Sequence, residues 1–128
     1  MRQAGRYLPE YMEVRSKVSF LELCNNPELA AEVSLQPWRR FGMDGVIVFN
    51  DILPPAAALG MELEFGDKGP CFPNPINSPA DVQKLSIYDP YEKTSSIMET
   101  LKILRREMDG KAPVIGFAGA PWTLAAYM

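Results

Sequence analysis

Two arginines near the start of the chain are the first residues whose type and spacing could do chemistry. Arg2 and Arg6 belong to one short segment, and Arg15 follows a little further on. An arginine guanidinium matches a carboxylate in a two-pronged hydrogen bond, so both could converge on one anionic ligand. Gly5 would let the backbone approach that ligand, and Gln3 adds an amide. For an arbitrary pair of arginines, a solvated surface position is the commoner explanation.

A carboxylate follows a strongly apolar segment. Residues 45–49 form an unbroken apolar run, a pattern that favours a strand covered on both faces in a parallel sheet, and Asp51 follows it. Ligands bind at the carboxyl ends of such strands, where Asp51 could orient donors or stabilise positive charge. Asp51 could equally cap the helical turn predicted at residues 52–54. Both interpretations stay open from the residues alone.

Other side chains have simpler explanations. Tyr127 lies in a predicted helix, where its phenol could bond a carboxylate, although packing in the core is the commoner role. Glu62 and Glu64 alternate along a predicted hairpin strand and are expected to form its solvated face, without a catalytic role. Core positions are also expected for four large aromatic residues: Phe20, Trp38, Phe41 and Trp122.

Charge and composition indicate which partners and sites are not expected for this chain. The net charge of -3 gives no general attraction to nucleic acid or to an anionic membrane, so we expect neither as a partner. The apolar run at residues 45–49 is too short to span a bilayer, and no secretory segment follows the first residues. A cytoplasmic protein is therefore expected. Cys24 and Cys71 are far apart and the chain has no histidine, which argues against a disulfide or a zinc site.

The elements that must position these residues can be predicted from local signals. Residues 1–11 are expected to form a loop. Asn26 and Pro27 predict the start of a helix that ends at Gly42. A short helical turn and a hairpin are expected between residues 52 and 79, with residues 61–65 and 71–76 flanking a turn at 66–69. A further helix is expected to begin in a capping box at Asp89, to end at Gly110, and to carry an apolar stripe of Ile97, Leu101, Leu104 and Met108.

Residues 113–117 form a second run expected to be a buried strand, and Pro121 begins another predicted helix. The order strand, helix, strand, helix indicates parallel strands joined by right-handed crossovers, as in a doubly wound sheet or a (β/α)8 barrel. Such a barrel typically takes about 250 residues. The 128 residues are therefore expected to be an incomplete α/β unit.

Several segments together resemble the uroporphyrinogen decarboxylase family. MRQAGRYLPEY at residues 1–11 is similar to its first signature, and GFAGAPWTL at residues 116–124, continued to Tyr127, is similar to its second. LQPWRRF at residues 35–41 and FNDIL at residues 49–53 also resemble the family and occur in its order. The resemblance covers essentially the whole chain.

The resemblance implies the N-terminal part of a (β/α)8 TIM barrel, usually a homodimer, that needs no cofactor. Its activity would be removal of carbon dioxide from the four acetate side chains of uroporphyrinogen III, giving coproporphyrinogen III in haem biosynthesis. Asp51 would accept hydrogen bonds from the pyrrole N–H groups, and Tyr127 would contact a substrate carboxylate. The remaining substrate-binding positions implied by the resemblance are Arg2, Gln3, Ala4, Gly5, Arg6, Arg15 and Phe20.

The implied catalytic residues are Asp51, Arg2 and Arg6. A pyrrole protonated on a ring carbon accepts the electrons that leaving carbon dioxide releases, and a fixed carboxylate stabilises that cation. Asp51 must then stay ionised, which neighbouring arginines favour and burial opposes. The arginines would hold the polyanionic substrate, and one of them could take part in proton delivery.

The resemblance also implies that residues 1–128 are one partial barrel domain, truncated at its C-terminus and at its N-terminus. We therefore expect the isolated chain to be inactive and to expose apolar strand edges. Two alternatives remain: a corrinoid-linked methyltransferase of the same fold, which would bind zinc through later residues, and a noncatalytic porphyrin-binding remnant. The arginine-rich opening favours the decarboxylase, because methyl transfer has no comparable need for carboxylate clamps.

Overall fold

The computed structural model describes residues 5–66, 69–116 and 118–128. The chain forms two compact units, the first from residues up to Asn50 together with the segment that starts at Ser95, and the second from the segments that start at Asp51 and Ala118. The elements in chain order are α1 (Pro9–Arg15), α2 (Phe20–Asn25), α3 (Pro27–Phe41), β1 (Val46–Ile47), α4 (Pro54–Ala58), β2 (Glu64–Gly66), β3 (Gly69–Cys71), α5 (Pro79–Val82), α6 (Pro90–Lys93), α7 (Ser95–Met108), β4 (Val114–Ile115) and α8 (Pro121–Tyr127).

Helix α3 begins and ends where the sequence predicts. The Asn26 side chain accepts a hydrogen bond from the Leu29 N–H at 2.9 Å, and Pro27 occupies the first helical position. Gly42 ends the helix in the left-handed region, with φ 62°. One face of α3 packs with Leu8, Tyr11, Leu23 and Phe49 through Ala30 and Val33. The helix therefore joins the opening segment to the end of β1.

The two predicted strands pair in parallel, as expected. Val46 lies opposite Val114 and Ile47 opposite Ile115, with the Val46 N–H donating to the Pro113 carbonyl at 2.9 Å. A second core cluster covers one side of this pair and consists of Ala31, Leu35, Val46, Val48, Leu104 and Met108. Helices α3 and α7 thus supply the apolar layer on which β1 lies.

The burial expected of the second strand is wrong. Ile115 is 47% exposed and Val114 only partly buried, whereas Val46 and Val48 are buried. Within the described residues β4 pairs with β1 alone, so one strand edge remains unpaired and its side chains are covered incompletely. Apolar strand surface is therefore exposed, in line with the expectation from the sequence.

The prediction of a core position is also wrong for three aromatic residues. Trp122 is 86% exposed, Phe41 52% and Tyr127 44%. Trp122 and Tyr127 belong to α8, whose partly buried residue Leu124 packs with the core of the second unit. Phe41 is the last residue of α3, where its ring lies beside the Arg40 guanidinium. Phe20 and Trp38 are partly buried and contact the two cores of the first unit.

The second unit has its own small core of Leu53, Ala56 and Phe72. Strands β2 and β3 pair antiparallel with Glu64 opposite Cys71, so the predicted hairpin is confirmed with shorter strands. Glu62 and Glu64 are exposed, as predicted. The Ile76 N–H donates to the Met128 carbonyl at 2.6 Å, which fastens the end of α8 to this unit. Residues 67 and 68 of the predicted turn lie outside the described residues.

Two predicted boundaries need correction. Residues 1–11 were expected to be a loop, but α1 begins at Pro9, where proline's fixed φ suits the first helical position, and Tyr11 is buried. The helix expected to run from Asp89 to Gly110 is two helices. Asp89 caps α6 by accepting the Tyr91 N–H at 2.8 Å, and the chain leaves helical geometry at Thr94 before α7 begins. None of the helices within the described residues is long and apolar enough to cross a membrane.

Candidate functional site

The described end of the predicted arginine loop, which begins at Gly5, lies against α3. Arg2, Gln3 and Ala4 lie outside the described residues, so Gly5 is the first predicted site residue that can be placed. Gly5 has φ 80°, and its carbonyl accepts a hydrogen bond from the Leu8 N–H at 2.8 Å. A Cβ at this position would lie 2.5 Å from Pro37 Cγ. Only glycine therefore permits this approach of the loop to α3.

Arg6 is exposed, and its guanidinium carbon lies 5.1 Å from the centroid of the Phe20 ring. The ring face attracts the cation, while the guanidinium N–H groups point outward in the guanidinium plane and can still donate to an anion. Phe20 is held in turn by the start of α2. There the Ser19 hydroxyl accepts the Glu22 N–H at 3.1 Å, and a Glu22 carboxylate oxygen accepts the Ser19 N–H at 2.7 Å.

Phe49 connects this arrangement to the end of β1. Its ring centroid lies 5.7 Å from that of Phe20 and 5.8 Å from that of Tyr11. Its backbone N–H donates to the hydroxyl of Ser34, a buried residue of α3, at 2.7 Å. The structure therefore brings Arg6 and Phe20 together, and the Phe20 ring packs against the Phe49 ring. Neither Ser34 nor Pro37 stands out in the sequence as a site residue, although a serine among apolar residues of a helix is a usable signal, since buried hydroxyls require partners.

Arg15 lies in the last turn of α1 and is partly buried. One of its guanidinium nitrogens donates to the Val18 carbonyl. Part of its donor capacity thus serves the turn between α1 and α2.

Asp51 is half-buried and belongs to the second unit. One of its carboxylate oxygens accepts the Leu53 N–H at 2.8 Å. The cap predicted for the turn at residues 52–54 is therefore present, although Leu53, not Asp51, is the N-cap residue of α4. The carboxylate instead holds the turn that precedes the helix. Within the described residues that is its single hydrogen bond, which leaves its second oxygen available to other donors.

Tyr127 also belongs to the second unit and is the last residue of α8. Its side chain is partly exposed. The convergence of Arg2, Arg6 and Asp51 on one pocket stays a prediction, as does a contact between Tyr127 and a carboxylate.

Among the described residues, three carboxyl groups have a lowered pKa. The Ser19 N–H, with the Ser19 hydroxyl, lowers the pKa of Glu22. The backbone N–H of Glu10, followed by the Arg40 guanidinium, lowers the pKa of Glu10. Lys84, followed by the Ser78 hydroxyl, holds the pKa of Asp81 far below its ordinary value. These carboxylates stabilise caps and surface ion pairs. No group of three or more side chains suited to a metal ion occurs within the described parts of the chain.

Comparison of the architecture with solved structures identifies the fold. A methyltransferase from Methanosarcina mazei matches with a TM-score of 0.70 over 90% of this chain and 36% of that chain, at 23% sequence identity. At that identity the likeness concerns the fold alone. The architecture is that of part of an α/β barrel, as the order of strands and helices predicts.

The family is identified by sequence. The model of the uroporphyrinogen decarboxylase family matches residues 1–128, and the chain belongs to that family. Curated relatives named uroporphyrinogen decarboxylase include proteins from Myxococcus xanthus, 56% identical over 128 residues, and from Geotalea uraniireducens, 58% identical over 128 residues. All of this chain is covered in both cases. The chain spans 37% and 38% of the length of these two relatives.

Proposed function

We propose that this chain supplies the arginine loop and the central carboxylate of a site that decarboxylates uroporphyrinogen III to coproporphyrinogen III. The observation that carries the proposal is the match of the family over all 128 residues, including the segments that contain Arg2, Arg6 and Asp51. Relatives of that name at 56% identity support the decarboxylase over a corrinoid-linked methyltransferase, because the methyltransferase likeness is one of fold.

The arginines hold the carboxylates of the substrate. The Arg6 guanidinium carbon lies over the Phe20 ring, and the planar arrangement of its N–H donors suits a two-pronged bond to an acetate or propionate group. Arg2 and the backbone amides of Gln3, Ala4 and Gly5 extend this anion-binding loop, and Arg15 contributes donors that Val18 does not use. Tyr127 donates its phenol hydrogen to a further carboxylate.

Asp51 acts on the charge that develops during the reaction. Protonation of a pyrrole ring carbon makes the ring cationic, and the bond to the carboxyl carbon then breaks with its electron pair entering the ring. A proton adds to the resulting methylene carbon and the ring carbon loses its proton, so each acetate side chain takes up one proton and becomes a methyl group and carbon dioxide. Asp51 accepts the pyrrole N–H bonds and stabilises the cation, which lowers the barrier without a bound cofactor.

The assembly proposed is a homodimer of the longer family member, acting in the cytoplasm. Substrate would be a small tetrapyrrole carboxylate, with neither nucleic acid nor membrane as a partner. The 128 residues alone are expected to give no product, because closure of a (β/α)8 barrel takes eight strands and the described residues supply one parallel pair.

A chimera tests the proposal. Residues 1–128 would replace the matching 128 residues of the Myxococcus xanthus relative, and product would be measured by chromatography of the oxidised porphyrins. We expect conversion of uroporphyrinogen to coproporphyrinogen by the chimera and none by the 128-residue chain. A folded chimera without product contradicts the proposal. In that case, titration with uroporphyrin shows whether the chain is a noncatalytic porphyrin-binding remnant. Binding quenches the tryptophan fluorescence, and a chain without affinity for uroporphyrin leaves it unchanged.

A further inference from the structure

The end of β1 is fixed by a hydroxyl of α3. Successive N–H groups of a strand point to opposite edges. The Val46 and Val48 N–H groups donate to the Pro113 and Ile115 carbonyls, at 2.9 and 3.0 Å. The Phe49 N–H points to the other edge, where the Ser34 hydroxyl accepts it at 2.7 Å. That bond lies outside the β1–β4 ladder and joins the backbone at Phe49, two residues after β1, to α3.

The Ser34 hydroxyl both donates and accepts a hydrogen bond. It donates to the Ala30 carbonyl at 2.6 Å and accepts the Phe49 N–H, and both Ser34 and Phe49 are buried. A buried hydroxyl with a donor and an acceptor has a single favourable orientation, so the bond locates the Phe49 backbone against α3. The Phe49 ring is restrained independently by Tyr11 and Phe20.

Asp51 follows Phe49 with one residue between them. We propose that Ser34 is a positioning residue for the decarboxylation, an inference that rests on the function proposed above. Its bond to Phe49 fixes the backbone from which the turn containing Asp51 begins. A preorganised carboxylate stabilises a developing cation only from a fixed place, and small displacements of catalytic groups cost large factors in rate. Ser34 has no role in holding the substrate and acts through Asp51.

Three substitutions in the chimera separate this role from general stability. S34A removes the hydroxyl without added bulk, and S34T restores it. T100V is the matched control, because Thr100 is also buried in the first unit and donates its hydroxyl to a carbonyl of its own helix, that of Ser96, at 2.8 Å. At a temperature where all variants are folded by circular dichroism, we expect S34A to lower kcat about tenfold or more with KM within about twofold of the parent. S34T and T100V are expected to keep at least half of the parental kcat.

A double variant shows whether Ser34 acts through Asp51. If it does, S34A lowers kcat less than about twofold in a D51N background, because the carboxylate charge is already gone. Equal effects of S34A in both backgrounds, or an S34A kcat close to that of the parent, overturn the inference. If S34A does not fold, S34C keeps the side-chain volume with a weaker acceptor and is expected to show the same kcat loss in smaller degree. An inactive parental chimera contradicts the proposed function and removes this inference with it, whereas an active parent unaffected by S34A overturns the inference alone.

Discussion

Replacement of Gly5 by alanine tests how closely the backbone at Gly5 packs against Pro37 of α3. With φ 80°, Gly5 has a backbone conformation that costs an L residue about 1–2 kcal/mol. The new Cβ would also lie 2.5 Å from Pro37 Cγ and 2.9 Å from Leu8 Cδ1, well inside the roughly 3.5–4.0 Å of a carbon contact. A proline ring cannot rotate away, so this crowding adds about 1–3 kcal/mol. We expect G5A to lower the free energy of unfolding by about 3 kcal/mol.

Gly42 provides the matched control. It too has positive φ, 62°, but a Cβ there meets nothing within 4 Å. G42A should therefore cost the conformational term alone, about 1 kcal/mol. The difference of about 2 kcal/mol between the two variants isolates the contact with Pro37.

Urea unfolding followed by tryptophan fluorescence measures this difference. The exposed Trp122 would first be replaced by phenylalanine, which leaves the partly buried Trp38 of α3 as reporter for the first unit. We expect the G5A midpoint to fall clearly below that of G42A with similar slopes. A G5A cost no larger than that of G42A would refute the close packing of the loop against α3.

Three further predictions concern single side chains. L104A should lower the unfolding free energy by about 2–5 kcal/mol, since Leu104 is fully buried between α7 and β1, and urea denaturation would measure it. E22Q should lower the urea midpoint at pH 7. The difference in midpoint between E22Q and the parent should disappear as pH falls through the lowered pKa of Glu22, because a carboxyl group with a lowered pKa stabilises the fold above pH 4.5 and loses that effect in acid. A difference that stays constant down to pH 2 contradicts this. F20L in the chimera should raise KM for uroporphyrinogen about two- to fivefold by removing the ring beside Arg6. An unchanged KM would mean that the contact with Phe20 does not orient the guanidinium.

Much of the fold could be predicted from local signals that need no tertiary information. The Asn26 and Pro27 pair at the start of α3 and Gly42 at its end give both boundaries. The apolar runs containing Val46 and Val114 give a parallel pair, because a helix lies between them in the chain. The uroporphyrinogen decarboxylase family followed from the long signatures at the two ends of the chain and was confirmed over all 128 residues.

The failures have physical causes. Helix α2 was missed even though Ser19 and Glu22 have the spacing of a capping box, because its six residues are too few to show helical periodicity. The exposure of Ile115 and Trp122 depends on what covers each element, which an apolar pattern cannot report. Ser34 bonds Phe49 across fifteen positions of sequence, so its role as a strand anchor depends on tertiary structure.

The most direct test of the central claim is the rate of the D51N chimera at saturating uroporphyrinogen. The asparagine carbonyl oxygen can still accept the Leu53 N–H, so the turn is kept while the negative charge is removed. D44N, at an exposed aspartate before β1, controls for loss of a surface charge. We expect D51N to have a kcat about 100-fold or more below that of the parent, and a raised KM because the amide NH2 would face the pyrrole N–H donors, whereas D44N should keep the parental rate. A D51N kcat within threefold of that of the parent would contradict the assignment of Asp51 as the group that stabilises the cationic pyrrole.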